Sequence, residues 1–294
     1  MRLIIQNYVD SSEVTETSGS DTVENLKTYS REKVFKSNTG GGSFDLKVVL
    51  GSQAPVTAIV LGRHNFEAGM VLRIYLYSDT EFNTQKHDSG DITIGGGEAG
   101  AASTNWGDIA SIPPASLEPL LGVWGVNLWG GDTLRDVLTN FVYWVPEIDQ
   151  VDTQTIQGIK IVIVAPLEEV EVGRLIIGEY IEPTYTISYG HNISWEEKTK
   201  QYRRNGNTLR SNNTPSAKKL QFDLKTINDA DNTLIHDSLK IVGMRRDFFV
   251  SIYPTDTDYS KLKDYSGIMK LTKIPSMAEY LPSYYKSKYI MEEV

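Results

Sequence analysis

Met70-Val71-Leu72-Arg73-Ile74-Tyr75-Leu76-Tyr77 alternates strictly. Its even positions are apolar, and its odd positions include Arg73. A period of two puts alternate side chains on opposite faces of a strand, so one face is offered to a core and the other to water. The same texture recurs on either side. Phe44–Leu50 alternates before becoming fully apolar, and Val56–Leu61 follows a Gly-Ser-Gln-Ala-Pro break. Phe141–Val145, Ile159–Val164 and Val170–Gly178 come later. Short strands divided by Gly, Asn, Asp and Pro are the pattern of a β-sandwich or jelly roll.

Residues 88–135 interrupt this rhythm. They are rich in Gly, Ala, Ser and Pro, and contain Gly95-Gly96-Gly97, Pro113-Pro114 and three tryptophans: Trp106, Trp124 and Trp129. They read as a long insertion of irregular loops, with a short helix near Leu117–Leu121. Loops this long in a compact domain are usually functional or held by a partner. The three tryptophans are the candidate ligand-binding residues, for a glycan or a protein, because aromatic rings stack on sugar faces and anchor interfaces. Packing inside the insertion is the competing reading.

The texture changes near Glu182-Pro183. Trp195–Arg210 is dense in charge, and Lys219–Leu224 reads as a strand. One helix is clearly signalled. Asn228 is a good N-cap with Asp229 and Asp231 in the first turn, and Leu234, Ile235, Leu239 and Val242 keep helical spacing before Gly243. Phe248–Tyr253 and Gly267–Ile274 read as strands, and Tyr280, Tyr284, Tyr285 and Tyr289 give an aromatic C-terminal tail. The expected architecture is mainly β. A jelly roll over 1–182 precedes a smaller α+β module over 183–294.

The chain has 294 residues, 40% hydrophobic, and carries a net charge of −9. The charge is uneven. Residues 1–182 hold 12 Lys/Arg against 25 Asp/Glu, and 183–294 hold 17 against 13. An acidic first part argues against a nucleic-acid groove there. Absence of cysteine excludes disulfides and thiolate metal sites. No apolar run approaches a membrane span. The first residues, Met1–Asn7, are expected to begin a strand rather than a signal-peptide core.

The remaining residues carry none of the common catalytic or metal-binding motifs. Neither Gly40-Gly41-Gly42 nor Gly95-Gly96-Gly97 leads into Gly-Lys-Ser/Thr. The histidines, His64, His87, His191 and His236, lack metal-pair spacing. His64 reads as a turn residue and His236 as an exposed helix residue. Asp256-Thr257-Asp258 lacks the glycine and terminal glutamate of a calcium loop. The expectation is a protein that is not an enzyme, with no cofactor and no metal.

A resemblance sharpens this. Asn25-Leu26, Lys33-Val34-Phe35-Lys36-Ser37 and Phe44–Leu50 resemble the opening of discoidin-like (galactose-binding-like) jelly rolls, with Phe35 in place of the usual tryptophan. Val56–Leu61 with His64-Asn65, and Val71–Ile74, resemble the next strands. Ile159–Val164 and Val172-Gly173-Arg174-Leu175-Ile176-Ile177-Gly178 resemble the closing ones. The set, with the Trp-containing basic segment that follows, resembles tail-tip or baseplate proteins of long-tailed bacteriophages. That resemblance implies a virion structural protein, assembled in the host cytoplasm and present in several copies or a homo-oligomeric ring. It would contact other tail proteins, and a host-surface glycan is a further possible partner. Cutting after Glu182 is then expected to leave a folded jelly roll that no longer assembles.

Overall fold

The computed structural model describes residues 1–28, 33–38, 42–66, 70–93, 141–144, 155–165, 169–185, 187, 190–197, 201–203, 207, 209–211, 216–254 and 264–294. The chain is mainly β. Its early strands are β1 (Arg2–Ile4), β2 (Glu13–Glu16), β3 (Phe35–Lys36), β4 (Gly42–Ala54), β5 (Ala58–His64) and β6 (Val71–Tyr77). Then come β7 (Gln85–Asp88), β8 (Ile92–Thr93), β9 (Phe141–Trp144), β10 (Ile156–Ala165) and β11 (Glu171–Gly178). The later elements are β12 (Asn192–Glu197), β13 (Gln201–Arg203), β14 (Leu209–Ser211), β15 (Ser216–Asn228), α1 (Asp229–Val242), β16 (Phe248–Ser251), β17 (Ser266–Leu271), β18 (Met277–Leu281) and β19 (Tyr284–Glu293).

Two antiparallel sheets make the jelly roll. One runs β2-β4-β10-β6-β7, with β8 beside β6, and the other runs β3-β11-β5-β9. The alternation of β6 does what the sequence asks of it. Met70, Leu72, Ile74 and Leu76 are buried, and Arg73, Tyr75 and Tyr77 face outward. They meet Leu46 and Val48 of β4, Ile159, Ile161 and Ile163 of β10, and Ile59, Leu61, Leu175 and Ile177 of the facing sheet.

A third sheet stacks on this sandwich. Its order is β1-β16-β17-β19-β15-β12, with β18 beside β19. The first strand of the chain thus pairs with β16, Arg2 opposite Ser251. The expected N-terminal strand exists, but it completes the sheet of the C-terminal module. On one face of that sheet, Ile4, Phe249 and Ile268 pack against Ala58, Val60 and Ile176 of the jelly roll. On the other, Leu220, Phe222 and Met291 meet Ile235, Leu239 and Val242 of α1. The order of layers is sheet, sheet, sheet, helix.

The middle sheet is therefore buried on both faces. Every residue of β11 is buried, and burial on both faces suits the unbroken apolar triplet Leu175-Ile176-Ile177 in its second half. Full burial of each large side chain at the second contact contributes about 1.5–3 kcal/mol. Two glycines make the approach possible. A Cβ on Gly62 would stand 2.4 Å from Ile268 Cδ1, and one on Gly178 would stand 2.3 Å from the Gln6 carbonyl oxygen.

Polar groups join the layers as well. Asn7 Oδ1 accepts from the backbone N–H groups of Val9 and Ile177, and its amide donates to the Leu175 carbonyl. One side chain thereby meets the free edge of β11 as a strand would. Arg174, 1% exposed, reaches Asp247 through two hydrogen bonds of 2.7 and 3.1 Å. It also meets Asp10 at 2.8 Å and donates to the carbonyls of Leu26 and Lys27. A fully buried guanidinium needs this many partners.

The helix forms where its caps place it. Asn228 Oδ1 accepts from Asp231 N–H at 2.7 Å, and Gly243, at φ 56°, ends it. Three differences from the sequence reading stand out. Leu234 points to solvent, because only Ile235, Leu239 and Val242 fall on the sheet-facing side. The aromatic C-terminal tail is a hairpin, β18–β19. Its second strand is flanked by β15 and β17, and Tyr289 is buried against Phe222 with ring centroids 5.0 Å apart. Residues 88–93, the start of the expected insertion, include the end of β7 and all of β8.

Candidate functional site

Of the three tryptophans singled out by the sequence, Trp106, Trp124 and Trp129, none lies among the described residues. The same holds for Gly95-Gly96-Gly97, the expected helix near Leu117–Leu121, and Asp256-Thr257-Asp258. The strands on either side of residues 94–140 in the sequence, β8 and β9, are described. Thr93 of β8 sits opposite Val71, and Phe141 of β9 sits opposite Gly62. Both open strand ends lie at the end of the sandwich where β5 stops at His64.

This end is built from the residues that carry the discoidin-like resemblance. Asn25 donates to the Val34 carbonyl at 2.9 Å, closing the turn before β3. Phe35 fills the buried position expected of a tryptophan and meets Phe44 with ring centroids 5.9 Å apart. Ser37 Oγ accepts from Val170 N–H. Asn65 ties the end of β5 to the start of β11 in the same sheet, its amide donating to the Glu169 carbonyl at 2.7 Å and its Oδ1 accepting from Glu171 N–H at 2.8 Å. Lys36 pairs with the largely buried Glu171 carboxylate at 2.8 Å.

His64 is not the turn residue the sequence suggests. It is 5% exposed, stacks on Phe66 at 4.2 Å, and its Nδ1 accepts the Phe66 N–H. Extending β5 to His64 draws the ring inward. The preceding residue, Arg63, adopts φ 53°, the left-handed region that is uncommon for a residue with a side chain. Glycine at 173 leaves room for it, since a Cβ there would lie 2.9 Å from Arg63 Cβ.

The outer face of the six-stranded sheet is polar and internally paired. Arg73 holds Asp88 through hydrogen bonds of 2.9 and 2.6 Å and meets Asp91 at 3.3 Å. The Arg73 guanidinium keeps the Asp88 carboxyl below its ordinary range. Lys160 pairs with Asp45 at 2.8 Å, and both cations lie within 6 Å of the Tyr75 ring.

The outer module has a different surface. Val164 is the one exposed large hydrophobic of the jelly roll among the described residues. Trp195 on β12, Tyr280 and Leu281 on β18, and Leu234 and Ile241 on α1 are all exposed, as are Tyr185, Met244 and Ile274. Tyr185 meets Tyr284 edge-on at 6.3 Å. The sequence signal for this surface was present in Trp195 and Tyr280. For Leu234 it was hidden, because helical spacing alone does not say which of two adjacent apolar positions faces the sheet.

His191 lies beside Tyr253 and Tyr265 with a 3.2 Å bond to the Tyr253 hydroxyl, and His236 is exposed on α1. Among the described residues there is no group of three or more His, Cys, Asp or Glu side chains placed to hold a metal ion. Nor is any helix there long and apolar enough to cross a membrane.

No protein-family model matches the sequence, and no curated protein matches it. Solved structures resemble it at low scores. A mutant lectin binding domain of Lectinolysin, complexed with Lewis b, gives a TM-score of 0.34 at 7% identity, over 59% of this chain and 96% of that one. A Ruminococcus gnavus fucosidase in complex with fucose gives 0.35 at 11%, over 60% of this chain and 27% of the enzyme. A fucolectin from striped bass (Morone saxatilis) serum gives 0.32 at 9%, over 99% of both chains. At such scores the strand order described above remains the basis for the fold: a jelly roll with a third sheet and a helix stacked on it.

Proposed function

We propose that this chain is a structural binding protein whose outer module docks on neighbouring protein subunits. The assembly implied by the sequence resemblance is the tail tip or baseplate of a long-tailed bacteriophage. One observation carries the docking reading: among the described residues, the exposed large hydrophobic side chains concentrate on one module. Scattered apolar residues are normal on a surface, but a module-wide excess marks a contact surface. Trp and Tyr are the residue types that anchor such contacts. The test is incorporation into particles purified from cells making the full set of tail proteins. Trp195→Ala combined with Tyr280→Ala is expected to lower incorporation at least tenfold while leaving the melting temperature of the free chain unchanged. Incorporation at the wild-type level would rule the docking reading out.

A second reading is carbohydrate binding at the His64 end of the jelly roll. It is favoured by the described strands β8 and β9, which pair with β6 and β5 near His64 and lie on either side of the sequence segment that holds the three tryptophans. Fucose and Lewis b, held by two of the solved structures above, are the first sugars to test. Glycan-array binding that is lost in Trp106→Ala or Trp129→Ala supports this reading. No binding by the assembled particle counts against it.

A further inference from the structure

We infer that α1 is the self-association surface of this protein, pairing antiparallel with α1 of a second copy about a twofold axis. The inference rests on the docking reading and names one partner for it. Leu234 is 51% exposed and Ile241 56%, although both belong to a helix whose opposite side is fully engaged. They are seven residues apart, hence two turns apart on one stripe. Met244 extends the apolar surface beyond the helix end. Serine at 238 lies between them, and a small side chain there lets two backbones approach.

The charges say which occupant fits. The N-terminal turn carries Asp229 and Asp231, and the C-terminal end carries Lys240, with Arg245 and Arg246 exposed just beyond. One helix is thus acidic at its start and basic at its end. A twofold axis near residues 237–238 lays Asp231 of each copy near Arg245 and Arg246 of the other, and opposes the two helix dipoles. Leu234 of each copy then meets Ile241 of its mate. A parallel pair sets like charges together at both ends. Asp237, near the axis, has its charge met within its own helix by Lys240 at 3.1 Å.

The chain has no cysteine, so introduced thiols report without background. In full-length protein under mild oxidation, a mixture of Leu234→Cys and Ile241→Cys chains is expected to give a covalent heterodimer. Leu234→Cys alone is not expected to cross-link, since its two copies stand about 10 Å apart along the axis and a disulfide needs Cα atoms within about 7 Å. By sedimentation, the wild-type chain forms a concentration-dependent dimer, and Leu234→Glu with Ile241→Glu is monomeric. Arg245→Glu with Arg246→Glu weakens the dimer at least tenfold. A wild-type chain that is monomeric at every concentration overturns the pairing, as does cross-linking of Leu234→Cys to itself. Either result leaves docking intact if Trp195→Ala with Tyr280→Ala still lowers incorporation. Normal incorporation of that variant beside a confirmed α1 dimer removes docking through the Trp195–Tyr280 surface instead.

Discussion

Arg174 of β11 and Asp247, one residue before β16, form a buried two-point ion pair across the contact between the jelly roll and the third sheet. The side chains are 1% and 8% exposed. Removing one partner strands a buried charge. Asp247→Ala is therefore expected to cost about 3–5 kcal/mol, read as a lowered urea midpoint. Replacing both, as Arg174→Met with Asp247→Leu, is expected to cost less than Asp247→Ala alone. Equal loss in the single and double variants would mean that Asp10 and the backbone carbonyls, not Asp247, hold the guanidinium.

The same contact changes what truncation after Glu182 is expected to give. The fragment keeps Ala58, Val60 and Ile176 but loses Phe249 and Ile268, which cover them, and Asp247. It also keeps β1 without β16. The fragment is expected to associate or precipitate rather than remain a folded monomer, as read by size-exclusion chromatography with light scattering. A monodisperse fragment with native melting behaviour would show that the third sheet is dispensable to the first two.

Glycine at 178 is required by a backbone neighbour, not by its own conformation. Gly178→Ala presses a methyl group on the Gln6 carbonyl and is expected to destabilise by about 1–3 kcal/mol, the usual range for overpacking. Gly51→Ala, at an exposed position with nothing within 4 Å of the added atom, is the control. The difference between the two is measured by thermal melting.

Burial pushes the Tyr289 phenol up to about 12. The folded state favours the neutral form, and the unfolded chain releases its proton near 10. The stability this contributes is complete below pH 10 and is lost as pH rises from 10 to about 12. Tyr289→Phe is expected to flatten the stability profile in that window and to leave the profile between pH 6 and 9 parallel to wild type.

Much of the architecture was legible because it depends on local pattern. Strict alternation announced β6, and Asn228 with Gly243 announced α1. The third layer was not legible. Its contacts join residues such as Ile4, Ile176 and Phe249, far apart in the chain, and each is unremarkable in its own segment. The apolar triplet Leu175-Ile176-Ile177 of β11 held a trace of it, since burial on both faces removes alternation. His64 was misread because Arg63-His64-Asn65 looks polar, yet the strand continues through it. The proposed sugar-contacting tryptophans were visible as residue types.

The pairing of β1 with β16 also sets an order of events in synthesis. Arg2 leaves the ribosome long before Ser251, the residue it stands opposite in the sheet. Contacts of such long sequence separation form late and slowly. Until then the middle sheet presents Val60 and Ile176 uncovered, with the chain's own first strand waiting beside them. The nascent protein thus carries a sticky intermediate, and the interval before β16 arrives is when a chaperone, or a neighbouring copy, has its opportunity.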